Sequence, residues 1–487
     1  MTEQLSEIDL PSFSLDRCLP LAGPEGLGDV RRVVSAVARR LQQRIVWNIN
    51  STASGGGVAE MLHSLIPYAR SLGIDARWLV VPGRPAFFNV TKRIHHALHG
   101  EVGDGSPLCK NERDIYDRTL AKVTPELISR VRPGDIVLLH DPQTVGLAPV
   151  LHSHGVTVLW RCHIGTDTPN EHTERGWDFV APYLNRVAAM IFSRKQYVPE
   201  RLDAARAWVI PPSLDPLSPK NQVLEHATVR SILARTGLIA GNGIGAPATF
   251  LRNDGSAAIV ERQAQVIRDG PAPGPEIPLV VQISRWDSLK DPIGVIQGFV
   301  SLLNGPDPVR ADLLLAGPEV TSVADDPESR AVLERVIGFW RSLPVPHRRH
   351  IHLATLPTYD TAENAAIVNA LQRHAAVIVQ KSLKEGFGLT VTEAMWKARP
   401  IVASAVGGIR EQIEHGTHGL LVADPKDLPN YGKAIRRLLG DVGLATRLGK
   451  QARERAQSLF LNPRHLGQYA LLLQHVELGH QLTASST

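Results

Sequence analysis

Strand-like and helix-like segments alternate along this chain in two successive sets, and this alternation limits the folds open to it. The first set of short apolar runs covers 44–50, 77–81, 135–140, 156–160, 189–193 and 208–210. The second set covers 278–284, 312–316, 351–353, 375–379, 400–403 and 419–422. Amphipathic stretches separate most of these runs, and the one at 58–72 places its apolar residues on one helical face. Alternation of this kind predicts an α/β fold with two Rossmann-like domains, whose parallel sheets we expect to face each other across a cleft.

The predicted domain boundaries follow the two sets of strands. They are an N-terminal extension at 1–43 that ends in a short basic helix, an N-terminal Rossmann-like domain at 44–225, a linker and insertion at 226–277, a C-terminal Rossmann-like domain at 278–458 and a helical tail at 459–487. Within the linker, the segment 252–261 fits either a short hairpin or a helix.

Bulk composition excludes several classes of protein. The 487 residues include 53 Lys and Arg against 48 Asp and Glu, so the net charge is +5 without a basic patch that contains aromatic residues. We therefore expect no nucleic-acid partner, and a small anionic substrate suits the mild basic excess. Cys18, Cys109 and Cys162 form neither a metal motif nor an even disulfide set. Without a signal peptide or an apolar run of ~20 residues, the expected protein is cytoplasmic and has no membrane span; homo-oligomerisation stays open.

The segment 384–395 carries the strongest chemical signal. It places Glu385 and Glu393 around a glycine-flanked aromatic residue, between a predicted strand and a predicted helix. Gly386 and Gly388 allow a ligand to approach the backbone, and a helix start offers unpaired N–H groups to phosphate. Carboxylates beside such a loop can accept hydrogen bonds from sugar hydroxyls, so the segment favours a nucleotide-sugar site. The structural alternative is that Glu393 closes a capping box at 390–393 and that Glu385 is a solvated loop acid.

Two cations follow the first strand of the second set. Arg285 and Lys290 lie in the loop after that strand, and Asp291 with Pro292 fits the start of the next helix. Two cations at a strand end could neutralise a diphosphate leaving group, or they could be exposed surface cations. Because the sequence contains no Asp-x-Asp pair, we expect side chains and the helix dipole, rather than a metal ion, to offset the charge.

The first half offers a glycine-rich loop and two polar strand ends. Gly56 and Gly57 end the run 51–57 before a predicted helix, which favours close approach of a ligand over a simple tight turn. Asp141 follows one strand, and Arg161 and His163 end the next. Lone histidines are usually structural, but polar groups at neighbouring strand ends also fit a binding site, so both roles stay open.

Together these motifs resemble the retaining glycosyltransferases of family four, which have the two-domain GT-B fold. The resemblance rests on Ser284 to Lys290 and on Glu385 to Glu393. Within that family the first half is similar to the trehalose glycosyltransferring synthases, in the sequences NINST at 48–52, GGGVAEM at 55–61, FFNVTK at 87–92, HDPQ at 140–143, WRCHI at 160–164 and PPSLDP at 211–216. The inserted residues 238–277 and the N-terminal extension depart from the family pattern.

The resemblance implies transfer of α-glucose from a nucleotide diphosphate glucose to glucose, which gives α,α-trehalose without a required cofactor. It implies catalytic roles for Arg285, Lys290, Glu385 and His163. It implies donor binding by Gly56, Gly57, Gly386, Phe387, Gly388, Leu389 and Glu393, with Glu393 at the ribose. Further candidates for sugar or acceptor contact are Asn50, Lys92, Asp141 and Arg161. The alternatives are a trehalose phosphorylase, a family-four enzyme with another acceptor, and a non-catalytic sugar-nucleotide binder.

Overall fold

The computed structural model describes residues 4–53, 56–241, 246–304, 309–320 and 328–484, and the chain forms two compact units. Of the described residues, the first unit contains 4–213 and 460–484, and the second contains 214–320 and 328–459. The predicted N-terminal extension and C-terminal tail therefore both belong to the first unit.

The first unit is built on a seven-stranded sheet. Its strands are β1 Ser6–Glu7, β2 Val46–Asn50, β3 Ala76–Val80, β4 Ile136–His140, β5 Thr157–Cys162, β6 Ala189–Phe192 and β7 Ala207–Val209. They lie in the order β1-β3-β2-β4-β5-β6-β7, and all neighbours pair in parallel except β1, which pairs antiparallel to β3. Every residue of β2 and β4 is buried, as expected for parallel strands covered on both faces.

Helices cover this sheet. They are α1 Leu19–Arg40, α2 Gly57–Ser71, α3 Pro85–Leu98, α4 Lys110–Arg130, α5 Asp141–Thr144, α6 Ala148–Ser153 and α7 Glu171–Val180. Short 3-10 turns lie at Leu15–Cys18, Val145–Leu147, Ala181–Arg186, Lys195–Tyr197 and Ala204–Arg206. Helix α2 confirms the helix predicted at 58–72, and its apolar face, including Met61, Leu62 and Ile66, is buried.

The second unit contains a hairpin and another seven-stranded sheet. Its strands are β8 Thr249–Leu251, β9 Ala257–Ile259, β10 Gln265–Ile267, β11 Leu279–Ile283, β12 Asp312–Pro318, β13 Ile351–Leu356, β14 Val377–Gln380, β15 Ile401–Ser404 and β16 Leu420–Val422. The large sheet has the order β10-β13-β12-β11-β14-β15-β16, and only β10 is antiparallel to its neighbour. The predicted pair of parallel α/β sheets is thus confirmed.

The helices of the second unit are α8 His226–Arg235, α9 Pro292–Leu303, α10 Ser329–Ser342, α11 Val345–Arg348, α12 Thr361–His374, α13 Leu389–Trp396, α14 Ile409–Gln412, α15 Leu428–Gly440 and α16 Val442–Leu459, with a 3-10 turn at Ser288–Lys290. The segment predicted as linker and insertion is more ordered than expected, because it contains α8, the β8–β9 hairpin and the edge strand β10. The strands of this segment are three residues long and partly exposed, so they leave no apolar run in the sequence.

The last helix, α17 Asn462–Ala484, packs against α1 and α2 in the first unit. The N-terminal helix was predicted to be short, but α1 spans 22 residues. Val34 and Val37 in its C-terminal half are buried, as is the C-cap residue Leu41. Two prolines and several glycines in its first ten residues have low helix propensity and conceal the pattern. Among the helices of the described chain, none has the length and apolar content needed to cross a membrane.

Candidate active site

The topology of the second sheet brings the main candidates together. Its strand order reverses between the neighbouring parallel strands β11 and β14. Ligands of open α/β sheets bind at the carboxyl ends of strands beside such a reversal. Arg285 and Lys290 follow β11, and Glu385 follows β14, so side chains 95 positions apart meet at this edge.

Lys290 and Glu385 form the central ion pair of this edge. The Lys290 Nζ lies 2.5 Å from the Glu385 Oε2, and the two side chains are 17% and 9% exposed. The Ser382 hydroxyl donates to the same oxygen at 3.1 Å, and the backbone N–H of Leu383 donates to the Leu289 carbonyl at 2.8 Å, which ties the two loops together. Glu385 is therefore a buried, paired carboxylate and not a solvated loop acid.

Contacts of Asp291 fix the end of the loop that carries Lys290. Asp291 has a φ of 47° and caps α9, since its Oδ1 accepts from the Gly294 N–H at 3.1 Å, and Pro292 takes the first helical position as predicted. The buried ammonium of Lys381 pairs with the other oxygen of Asp291. Arg285 lies at the start of the same loop, with its side chain 34% exposed and 3.7 Å from Asp287.

The glycine-flanked loop ends at the start of α13. Gly388 caps the helix with a φ of 86°, and a Cβ at this position would lie 3.1 Å from the Glu385 Cγ, so a larger residue would push on the ion pair. The buried amide of Gln412 donates to the Phe387 carbonyl at 2.5 Å and accepts from the Thr392 hydroxyl at 2.7 Å. The backbone at Phe387 is therefore held by Gln412, with Gly386 just before it and Leu389 as the first residue of α13.

Glu393 has partners that the sequence pattern did not indicate. Its Oε1 lies 3.0 Å from the Lys220 Nζ, and its Oε2 accepts from the Gln372 amide at 2.8 Å. The alternative of a capping box is wrong, because Gly388 is the N-cap and Glu393 lies in the second turn. Lys220 is brought here by Asn221, which accepts hydrogen bonds from Trp396 and Lys397.

The first sheet has its own reversal between β2 and β4, and several candidates lie at that edge. The Asp141 carboxylate accepts from the backbone N–H of His163 at 2.7 Å, which links the ends of β4 and β5. The side chain of Asn50 is buried and hydrogen-bonded. It accepts from the Trp78 indole at 2.8 Å and donates to the Thr52 carbonyl at 2.7 Å. These contacts fix the orientation of the Asn50 amide at the end of β2.

The remaining candidates of the first unit lie on helices or inside the sheet. Gly56 caps α2 with extended backbone and open space at its Cα, and Gly57 begins the helix; Ser54 and Gly55 of the same predicted loop lie outside the described residues. Lys92 lies half-buried on α3. Arg161 is fully buried and contacts His163 together with residues of α17. Within the described ranges, no cluster of three or more His, Cys, Asp or Glu is placed to hold a metal ion.

Burial shifts the titration of the imidazoles at this edge. Burial, followed by the charge of Arg161, lowers the pKa of His140 to about 3, and the same two causes place the pKa of His465 well below its usual range. The unfolded chain then binds more protons than the native state below about pH 6.5, so stability is fully present above that pH and falls as the pH is lowered.

We expect acid to destabilise this protein well before its carboxylates titrate. Each of His140 and His465 contributes up to about 1.4 kcal/mol of lost stability per pH unit below about pH 6.5. Thermal unfolding followed between about pH 7.5 and pH 5 should show a falling Tm. His140→Gln should flatten that dependence, whereas His152→Gln, at an exposed position of α6, should leave it unchanged. A Tm independent of pH in this window would contradict the assignment.

Comparison with known proteins agrees with this architecture. The family model described as "Trehalose synthase, N-terminal domain" matches residues 48–199, and "Glycosyl transferases group 1" matches residues 361–455. The trehalose synthase of Rubrobacter xylanophilus is 33% identical over 91% of this chain and 95% of its own length, and that of Thermococcus litoralis is 34% identical over 92% and 95%. The trehalose phosphorylase of Pleurotus sajor-caju is 26% identical over 81% of this chain, which spans 53% of that protein.

Solved structures agree on the fold. The α,α-trehalose 6-phosphate synthase of Burkholderia multivorans has a TM-score of 0.64 at 16% identity, over 91% of this chain and 98% of its own. Anabaena HepE in complex with UDP and glucose has a TM-score of 0.58 at 13% identity, over 88% and 99%.

The two parallel-sheet units and the match to the group 1 glycosyl transferases identify a glycosyltransferase with the GT-B fold. The near full-length matches at 33% and 34% identity show the family as well as the fold. This chain belongs to the trehalose synthase family.

Proposed function

We propose that this protein moves α-glucose from a nucleotide diphosphate glucose to glucose with retention of configuration and without a metal ion, forming α,α-trehalose. The Lys290–Glu385 pair carries the proposal, because a cation for the leaving phosphate and a carboxylate for the sugar stand in contact at a strand-order reversal. Membership of the trehalose synthase family supports the choice of product. The Anabaena neighbour in complex with UDP and glucose has the same fold, which supports a nucleotide-sugar donor.

Each group at the carboxyl ends of β11 and β14 has a role in this proposal. Arg285 and Lys290 stabilise the negative charge that develops on the diphosphate as the glycosidic bond breaks. The first N–H groups of α13, from Leu389 onward, add the positive end of the helix dipole. Glu385 accepts hydrogen bonds from hydroxyls of the donor glucose, and Glu393 accepts from the ribose. The backbone of Gly386 and Phe387 leaves room for the sugar to approach.

The first unit supplies the remaining groups. We assign His163 to a hydroxyl of the donor glucose, and Gly56 with Gly57 to the phosphate side. Asp141 and Lys92 are assigned to the acceptor sugar. Retention then follows from substitution on the same face of the sugar, in which the leaving phosphate oxygen takes the proton of the acceptor hydroxyl as the new C–O bond forms. Trapping of a covalent glycosyl-enzyme would reject this mechanism.

A matrix of donors and acceptors tests the proposal. Nucleotide diphosphate glucoses with different bases, and glucose 1-phosphate, are each paired with glucose and glucose 6-phosphate, and products are identified by NMR. We expect α,α-trehalose from glucose with at least one nucleotide donor. Turnover with glucose 1-phosphate alone would instead support the phosphorylase reaction, which the similarity to the Pleurotus enzyme makes the main rival.

Lys220 offers a separate test of the nucleotide assignment. Its ammonium holds one oxygen of Glu393 while Gln372 holds the other, so the carboxylate is presented in one orientation. Lys220→Met should raise the KM for the nucleotide donor about ten-fold, the loss of roughly 1.4 kcal/mol of binding, with a kcat near that of the wild type. Steady-state kinetics with the donor varied measures this. The same substitution at the exposed Lys426 is the control, and an unchanged KM for Lys220→Met would remove Glu393 from nucleotide binding.

A further inference from the structure

Arg161 is an unusual residue in the first unit, because a guanidinium at 0% exposure has only neutral partners among the described residues. Its NH1 lies 3.0 Å from the His465 Nε2 and donates to the Tyr469 hydroxyl at 2.6 Å, and its NH2 donates to the Ile210 carbonyl at 2.9 Å. Its Nε faces the His163 Nδ1 at 3.4 Å. A buried charge without a carboxylate is costly, so its presence here suggests a role beyond stability.

The contact with His163 decides where the proton of that imidazole sits. A guanidinium has five N–H donors and no acceptor, so the His163 Nδ1 that faces it must present a lone pair. The proton of the neutral ring is then on Nε2, which points toward the His140 Nδ1 at 3.4 Å. The remaining nitrogen of His140, Nε2, carries its own proton and lies 3.2 Å from the Asn48 Oδ1, so this chain of contacts is consistent from end to end.

The same reasoning fixes the other side of the guanidinium. The His465 Nε2 accepts from Arg161, so its Nδ1 carries the proton and donates to the Ser213 hydroxyl at 2.7 Å. Ser213 in turn donates to the Asn462 Oδ1 at 2.8 Å. Tyr469 lies beneath the guanidinium, with its ring centroid 5.5 Å from the Arg161 Cζ. Helix α17 thus holds Arg161 in one orientation.

We propose that Arg161 is a positioning residue that keeps His163 neutral with its proton on Nε2, so that His163 acts only as a hydrogen-bond donor to a sugar hydroxyl. The inference rests on the proposed function in taking a sugar as the ligand of His163. The 3.4 Å contact from the His163 Nε2 to the His140 Nδ1 is long for a hydrogen bond. A substrate oxygen can therefore replace His140 as the acceptor of the Nε2–H at little cost.

The positive charge of Arg161 acts in the same direction. Arg161 is the arginine that acts on His163, Arg464 lies within electrostatic reach of Arg161, and the His140 ring stacks on His163 with centroids 5.7 Å apart. Asp141 is the acid in contact, and it accepts from the His163 backbone N–H. Burial, followed by the charges of Arg161 and His140, lowers the pKa of His163 well below its ordinary value. Protonation on Nδ1 would also point an N–H at the Arg161 N–H.

Nitrogen-15 NMR of histidine-labelled protein without substrate tests this directly. His163 is assigned from the signals lost in His163→Gln. We expect an unprotonated Nδ1 and a protonated Nε2, with no titration between about pH 8 and pH 5.5. A proton on Nδ1, or titration near the usual pKa of about 6.5, would overturn the proposal. Because no substrate is present, this result is independent of whether the proposed glucosyl transfer is correct.

Variants connect the tautomer to activity. Arg161→Met removes the charge but not the burial that lowers the pKa of His163, so that pKa should rise part of the way toward its usual value and kcat/KM measured at about pH 6 relative to about pH 8 should fall further than in the wild type. Tyr469→Phe removes one hydroxyl that holds Arg161 and should give a smaller change in the same direction, which keeps the test available if Arg161→Met does not fold. Arg201→Met, on the surface beside Glu174 and Asp178, is the matched control. An unchanged His163 spectrum in folded Arg161→Met or Tyr469→Phe protein would overturn the proposal.

Discussion

Lys290→Ala is expected to lower kcat by about 10²–10³-fold, the usual cost of removing one preorganised group that stabilises developing charge. Lys290 is one of two cations at the edge where we place the diphosphate, and it is held by Glu385 and by the 3-10 turn that ends at Lys290. The substitution removes the charge while the cap of α9 by Asp291 and Lys381 stays in place. Initial rates at saturating donor and acceptor measure the effect.

Lys433→Ala is the matched control for this experiment, because Lys433 lies exposed on α15 in the same unit. We expect it to retain wild-type turnover. Equal circular dichroism spectra and similar Tm values for the two variants would exclude unfolding as the cause of a lower rate. A Lys290→Ala enzyme with unchanged kcat would remove Lys290 from the mechanism.

Glu385→Gln is expected to lower kcat by about 10²-fold or more, since the amide keeps the shape of the side chain but loses the charge paired with Lys290. Glu385→Ala should be at least as damaging, because it also removes the acceptor of the Ser382 hydroxyl. If the two residues act as one unit, Lys290→Ala combined with Glu385→Gln should be little worse than the poorer single variant. Steady-state rates of all four enzymes measure this coupling.

The control for Glu385 is Glu454→Gln on the exposed face of α16. Fully multiplicative losses in the double variant would show that Lys290 and Glu385 act independently, against the paired arrangement. Unchanged turnover of Glu385→Gln would leave the carboxylate with a structural role only.

Much of the fold could be predicted from the chain because parallel strands buried on both faces are continuous apolar runs. All twelve predicted runs overlap strands of the two sheets. The exceptions are elements whose stability depends on distant partners. Strand β1 has two exposed residues and exists only through pairing with β3, and β10 is an edge strand that pairs with β13. No local pattern of hydrophobic residues marks such elements.

The candidate site likewise combines residues that the sequence indicated with partners that it did not. The spacing of Glu385 and Glu393, and the cations at 285 and 290, point to a sugar–phosphate site because the chemistry needs those groups at strand ends. Nothing in the local sequence of Lys220 or Gln412 indicates that one holds Glu393 and the other holds the Phe387 carbonyl. Asn50 is a second example. Its side chain forms hydrogen bonds with Trp78 and Thr52, and its position at a strand end did not indicate these partners.

By itself the sequence determined the class of fold and predicted the residue types of the proposed donor site, because hydrophobic periodicity and residue type are local properties. Only the tertiary structure decided which groups meet. The adjacency of β11 and β14 places Lys290 against Glu385, and the packing of α17 on the first unit places His465 and Tyr469 on Arg161, 304 and 308 positions away. Such contacts depend on the order of the strands and the docking of the helices. The local sequence around any one residue does not determine strand order.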